Sequence, residues 1–329
     1  MRELPAGDGW QLEPKWDGFR GLLENTSGEL RLWSRNGRPL LRYFPELAPL
    51  GELLPPRSCL DGEIVIARDG VLDFDAMQMR LHPAESRILR LSGEIPARFV
   101  AFDVPAWDGR SLAERPLAER RAFLERDAGA FALSPATRDR EVALGWLDAF
   151  EALGLDGVIG KRLDLPYLPG SREAVVKVKP ERTADCIVVG VRWRSPATAQ
   201  DGLATLLLGL VADDGTTDYV GSAAVAPARR EEIAALVLPL LEGAPERRFS
   251  EPNRWGSGEL EEAAVRPELV VEVRFDKVQG RRFRHGTKLV RFRPDKDPAQ
   301  CTWRELRPPR DPSLPSVEAL LDGTAPGPG

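Results

Sequence analysis

Around residues 180–185 the chain changes from a mixed pattern to a β-rich one, and that change constrains its architecture more than any single motif. Upstream, short runs at 20–23, 30–34, 59–67, 99–104, 157–161 and 174–179 are rich in strand-forming residues and bounded by Gly, Pro or Asp. The first two flank Thr26-Ser27-Gly28 and read as a hairpin. Between the runs, apolar residues recur at three-to-four spacing over 115–126 and 141–153, which predicts helices, the second stopped by Gly154. Irregular alternation of this kind fits an α+β domain better than repeated βαβ units.

Downstream, five short runs at 186–193, 203–211, 218–222, 269–275 and 287–292 predict a small barrel of the OB type. Between them 228–241 reads as one amphipathic helix and 246–258 as an irregular polar loop. The expected organisation is an α+β domain over 1–181, a barrel over 182–306, and a Pro/Gly-rich tail over 307–329, disordered apart from a short helix at 317–321.

No apolar run approaches the roughly 20 residues of a spanning helix, and the start Met1-Arg2-Glu3-Leu4-Pro5 has no secretory pattern, so a cytoplasmic chain with no membrane contact is expected. Cys59, Cys186 and Cys301 are odd in number and far apart, which excludes a disulfide framework or a zinc site. The net charge of −5 argues against coating nucleic acid by bulk positive charge. Yet the stretch 274–296 holds nine basic residues, among them Arg281, Arg282, Arg284 and Lys288, against two acids. On a barrel, such a stripe predicts a groove for a phosphate backbone; a solvated basic face is the plainer alternative.

The 46 basic residues are 39 Arg and only 7 Lys, so arginine serves wherever a generic cation would do. Lysine persists at 15, 161, 177, 179, 277, 288 and 296, as expected where an amine must titrate or a compact ammonium is needed. In Glu13-Pro14-Lys15-Trp16-Asp17-Gly18-Phe19-Arg20 a lysine is packed among charges just before a strand. It can act as a nucleophile only as the free amine, which nearby cations or desolvation would favour. Lys177 and Lys179 alternate in Val176-Lys177-Val178-Lys179, so on a strand both ammoniums leave one face; they suit phosphate oxygens, or the guarding of a sheet edge. Asp61-Gly62-Glu63 and Asp156-Gly157 place carboxylates beside apolar runs, where they can reach a divalent cation or simply make turns. Phe102-Asp103 offers an aromatic face for a base or for the core.

Taken in order, Lys15-x-Asp17-Gly18, Ser34-Arg35-Asn36-Gly37, Asp61-Gly62-Glu63, Phe102-Asp103, Asp156-Gly157-Val158-Ile159-Gly160-Lys161, Val176-Lys177-Val178-Lys179 and Arg293-Pro294-Asp295-Lys296 resemble the nucleotidyltransferase motifs of the ATP-dependent DNA ligases. The likeness is closest to the short bacterial type called ligase C and to the ligase domain of ligase D. It spans residues 11 to 306. The resemblance implies a nucleotidyltransferase domain followed by an OB-fold domain, with ATP and magnesium or manganese as cofactors. It implies Lys15 as the nucleophile that becomes lysyl-AMP, Glu13 at the adenine edge, Phe102 stacked on the base, and Glu63 at the ribose or a metal. Arg20 and Arg35 would hold sugar or phosphate, Arg35 taking the 5′-phosphate of a nick. Asp156 would bind the metal, Lys177 and Lys179 the α-phosphate, and Asp17 would lie near the attacking 3′-hydroxyl. Arg293 and Lys296 would orient pyrophosphate from the barrel.

The implied partner is nicked or broken duplex DNA, in the company of DNA end-binding and repair-polymerase proteins, with the chain a monomer at the nucleoid. Two features depart from the family pattern. Asp156 stands where Glu is usual, and Lys15 lies so near Met1 that a grip by two domains alone is expected. RNA ligases and capping guanylyltransferases share most of these motifs, and a silent module that binds DNA ends is the reading from another class. The Ser34–Gly37 segment and the Arg-Pro-Asp-Lys ending favour DNA ligase over the first two, and the retained lysines and Glu63 over the third.

Overall fold

The computed structural model describes residues 3–149, 152–193, 202–243, 262–284, 286–306 and 316–322. Two compact units emerge: residues 1–180 together with the segment from 309 onward, and residues 181–308. Among the described residues no helix is long and apolar enough to cross a membrane.

The first unit is built on two antiparallel arrangements. A three-stranded sheet joins β1 (Trp10–Pro14) to a central strand at Val158–Arg162 and an edge strand at Val175–Val178. A larger sheet runs in the order β3 (Glu29–Ser34), β2 (Phe19–Thr26), β4 (Ser58–Val65), β5 (Arg98–Trp107), β6 (Arg110–Ser111), with β7 (Ala132–Leu133) parallel to β5. The strands at Val158–Arg162 and Val175–Val178 are β8 and β9. The hairpin at β2 and β3 is longer than the apolar runs suggested, because Glu24, Asn25 and Thr26 continue the ladder past the last leucine.

Helices α1 (Phe74–Arg80) and α2 (Glu85–Glu94) follow β4, and α3 (Leu117–Asp127) and α4 (Arg140–Ala149) fall where the periodicity placed helices. The inner face of the larger sheet, with Leu23, Leu32, Leu60 and Ile64, packs on Phe44, Met77 and Leu124. Arg80 is fully buried among them, its charge met by both oxygens of Glu46 at 2.6 and 2.8 Å and by the carbonyls of Tyr43 and Ile95.

In the second unit five strands close on themselves. They are β10 (Arg182–Trp193), β11 (Leu203–Val211), β12 (Thr217–Ala224), β15 (Val270–Phe275) and β16 (Thr287–Phe292). Pairing runs β10–β11–β12–β16–β15 and back to β10, with β12 and β16 parallel, which is the OB-fold barrel. Short strands β13 (Leu241–Gly243) and β14 (Glu262–Val265) extend it from β10.

The single helix expected over 228–241 is corrected to α5 (Arg230–Val237) followed by a 3-10 turn and β13. Pro239 has no N–H to continue the ladder, so the helix ends before it. The polar loop expected over 246–258 lies outside the described residues, as does His285. Within the tail, α6 (Val317–Leu321) forms where a short helix was expected, and it is packed on the first unit with Val317, Leu320 and Leu321 buried. The rest of the tail, 307–315 and 323–329, lies outside the described residues.

Candidate active site

The register of the small sheet sorts its side chains by chemistry. Gln11 lies opposite Lys161 and Glu13 opposite Ile159, which in turn lies opposite Lys177, so these residues share one face. The other face carries Leu12, Val158, Val176 and Val178, all within one apolar cluster. On the polar face Lys161 pairs with Glu13 at 2.7 Å, and Gln11 donates to the same carboxylate at 2.8 Å. The Lys161 ammonium also donates to the Phe102 carbonyl at 3.1 Å and stands 4.4 Å from the centroid of its ring. Glu13, Lys161 and Phe102 therefore form one group that bridges the two sheets of the unit.

Phe102 is aimed there by a bulge. Asp61 pairs with Asp103 and Gly62 with Ala101, so β5 carries Phe102 as the extra residue at that step. Beneath it, Arg120 of α3 makes a buried bidentate pair with Asp103 at 2.8 and 2.9 Å.

Beyond the strand ends, main-chain bonds hold Lys15 against Asp156. Lys15 N–H donates to the Gly157 carbonyl and Asp156 N–H to the Lys15 carbonyl, both at 2.8 Å. Gly157 has φ +121°, and a Cβ there would meet the Val178 carbonyl oxygen at 2.2 Å, so glycine is required. The Lys15 ammonium contacts Asp156 Oδ2, and Lys179 reaches the same oxygen at 3.0 Å. Burial works against the Asp156 anion, but these two ammoniums hold its carboxyl below the usual carboxylate range.

Gly18 brings β2 against β4: a Cβ at Gly18 would lie 2.0 Å from the Ile64 carbonyl oxygen. The Gly18 N–H donates to Glu63, whose carboxyl burial pushes up to about 8, opposed by Lys15 and reinforced by Asp61 and Asp17. Burial and the charges of Lys15, Arg35 and Arg20 pull Lys177 below its ordinary range. The chain thus brings Lys15, Glu63, Lys177, Arg20 and Arg35 into one electrostatic neighbourhood, with Arg35 exposed and Asp17 buried at 7%.

Arg20 faces protein partners. It pairs with both Asp61 oxygens at 2.9 and 2.6 Å, and the Tyr167 hydroxyl donates to Asp61 at 2.8 Å. Lys161, Asp61, Tyr167 and Arg120 were not among the expected site residues. Lys161 and Asp61 carried a signal, each standing at one end of a recognised motif, whereas Tyr167 and Arg120 are visible only once the fold is known.

Among the described residues no group of three or more His, Cys, Asp or Glu side chains forms a metal cage. Magnesium typically takes one or two carboxylates and completes its shell with water and substrate phosphates. Glu63 and Asp156 each lie under the field of Lys15 and are carboxylates of the kind such an ion uses.

In the barrel unit, Arg293 pairs with Asp185 at 3.0 Å and with Asp295 at 2.9 Å, and Lys296 bridges Asp185 and Glu305 at 2.9 and 2.7 Å. The basic stripe has Arg281 on Asp218 and over the Trp303 ring, Arg282 over Tyr219 at 4.9 Å, and Lys288 exposed on β16. Arg284 is half-buried, its N–H donating to the Lys277 carbonyl.

The family model described as ATP dependent DNA ligase domain matches residues 3–179. DNA ligase C2 of Mycolicibacterium smegmatis is 45% identical, covering 96% of this chain and 95% of that protein. DNA ligase C of Mycobacterium tuberculosis is 41% identical, covering 93% and 91%. A solved structure from a study of Lig E DNA ligases shares the fold, with a TM-score of 0.52 and 18% identity over 87% of this chain and 93% of that one. The match over more than half of the chain, together with relatives above 40% identity along nearly its whole length, places the chain in the family of the ATP-dependent DNA ligases.

Proposed function

We propose that this chain seals nicks between a 3′-hydroxyl and a 5′-phosphate in duplex DNA. The observation that carries the reading is the convergence of Lys15, Glu63, Asp156, Lys177 and Lys179. The free amine of Lys15 attacks the α-phosphorus of ATP, the bond to the β-phosphate oxygen breaks, and pyrophosphate leaves. The resulting phosphoramidate keeps the adenylate activated. Its transfer to the DNA 5′-phosphate frees Lys15, and attack by the 3′-hydroxyl then releases AMP and closes the strand.

Chemistry of this kind rests on positioning and charge neutralisation, which suits a site with several cations and few general bases. Lys177 and Lys179 neutralise the α-phosphate, Phe102 with Glu13 and Lys161 receives the adenine, and Arg20 receives the ribose. Glu63 and Asp156 would hold magnesium, or manganese in its place, which would supply charge withdrawal from the phosphate oxygens. Arg35 binds the 5′-phosphate and Asp17 lies by the 3′-hydroxyl. Arg293 and Lys296 orient pyrophosphate, and Arg281, Arg282, Arg284 and Lys288 track the DNA backbone. On this reading the chain acts as a monomer at the nucleoid, beside end-binding and polymerase proteins of repair.

The test is sealing of a 5′-labelled nicked DNA duplex, with an all-RNA nick and GTP as the comparisons. Joined DNA with ATP is expected. Joining confined to RNA, or driven by GTP, would transfer the chain to the RNA-ligase or capping reading.

A further inference from the structure

The apolar cluster that takes in one face of the small sheet also takes in residues from the other end of the chain. Val317, Leu320 and Leu321, at 0%, 4% and 2% exposure, share one buried cluster with Leu12, Val158 and Val178 of that sheet and with Trp16, the neighbour of Lys15. Trp16 is also fixed from its edge, its Nε1 donating to Ser134 Oγ at 3.0 Å.

Polar contacts clasp the same segment in place. Val317 N–H donates to the Gly70 carbonyl at 3.1 Å, and Gly70 N–H donates to Glu318 Oε1 at 3.3 Å. Arg98, at the start of the strand that carries Phe102, pairs with Asp322 at 2.7 Å. Ser316 caps the helix, its Oγ accepting from Ala319 N–H at 3.2 Å. A helix of five residues does not hold together alone, so its order derives from this dock.

The consequence is topological. The chain leaves the first unit at residue 180, forms the barrel, and returns to the apolar cluster that also holds Leu12, Val158 and Val178. The matched family domain ends at residue 179, so this support lies outside it.

We infer that α6 is a positioning element of the adenylation site: Val317, Leu320 and Leu321 hold the sheet and Trp16 from below, and so fix Lys15 relative to Asp156 and Lys179. This rests on Lys15 being the nucleophile. Glu13 and Lys161, which group with Phe102 of β5, stand on the opposite face of the same sheet, with their own polar partners. Loss of the support therefore lowers the rate of adenylation at saturating ATP more than it changes the ATP concentration for half-saturation. Displacing a reacting group by about an ångström from a distance can cost on the order of 100-fold in rate.

The experiment measures lysine adenylation by intact mass against time and ATP concentration, in the full chain and in Leu320→Asp, Leu320→Ala and Leu320→Met, with folding checked by circular dichroism. Leu320→Asp is expected to lose about 10-fold to 100-fold in rate, with half-saturation within about twofold, while Leu320→Met stays near wild type because Met fills the same space. If Leu320→Asp does not fold, Leu320→Ala carries the test with a smaller loss of the same kind. A folded Leu320→Ala that adenylates at the wild-type rate overturns the inference, as does a loss confined to half-saturation. A wild-type chain that forms no adduct would instead sink the ligase reading itself.

Discussion

Glu63→Gln separates the charge of the site from its shape, since the amide replaces the carboxylate at nearly the same volume. In the native chain burial raises the Glu63 carboxyl from 4.5 to about 8. Between those values the folded protein retains a proton that the unfolded chain has released, so the native state binds more protons and stability falls as pH rises. The contribution of this group is fully present below the unfolded value and is lost as pH rises to the folded one. At about 1.4 kcal/mol per pKa unit, the whole loss is about 5 kcal/mol, comparable with the net stability of many domains. Asp156 is shifted the other way, and its contribution is lost only as pH falls below its ordinary value of 3.8, so the two windows do not overlap. Urea unfolding of nucleotide-free and metal-free protein, from about pH 5 to about pH 8, reads the effect directly. The wild type should lose about 3 to 4 kcal/mol relative to Glu63→Gln over that range. Parallel stability curves for the two proteins would refute the reasoning, because they would show that the Glu63 proton is not linked to folding.

Further outcomes follow from the same geometry. Adenylation should rise with pH toward about 8, as Glu63 becomes the anion a magnesium ion requires, and Glu63→Gln should abolish both the rise and the activity; rates across pH check this. Arg120→Ala strands Asp103, which is buried under Phe102, and should cost about 3–5 kcal/mol by calorimetry. Lys161→Met leaves Glu13 buried without its cation and should raise the ATP half-saturation more than it lowers the saturated rate, as an adenylation titration would show. Nick binding should weaken steeply with salt, and Lys288→Ala should reduce the slope of log K against log salt by about 1 in fluorescence anisotropy; a flat response would contradict a phosphate-dominated grip.

Part of the candidate site was legible because several of the residues that lie together stand in short, ordered motifs. Glu63 and Asp156 are each set beside a glycine, Lys177 and Lys179 alternate about Val178 at the end of β9, and Lys15 is a rare lysine packed among charges between β1 and β2. What stayed hidden depends on register. Arg20 lies opposite Glu63 and meets Asp61 on the diagonal, a contact fixed by the β2–β4 ladder and not by sequence distance. Tyr167 and Arg120 reach the site from a loop and a helix whose placement no periodicity reports. Phe102 reads locally as either core or base platform, and the bulge in β5 that aims it appears only when the strands are paired. In the barrel, strand order was beyond the reach of five short apolar runs, although their number already suggested closure. In the tail the short helix at 317–321 was legible, but not its burial: Val317, Leu320 and Leu321 join an apolar cluster of the first unit that composition does not report.

The most direct measurement is the intact mass of the protein, stripped with pyrophosphate and then given ATP and magnesium, for wild type and Lys15→Ala side by side. One added AMP that survives denaturation in the wild type alone is the predicted result. No adduct on folded wild-type protein, or an equal adduct on Lys15→Ala, would contradict the assignment of Lys15 as the nucleophile.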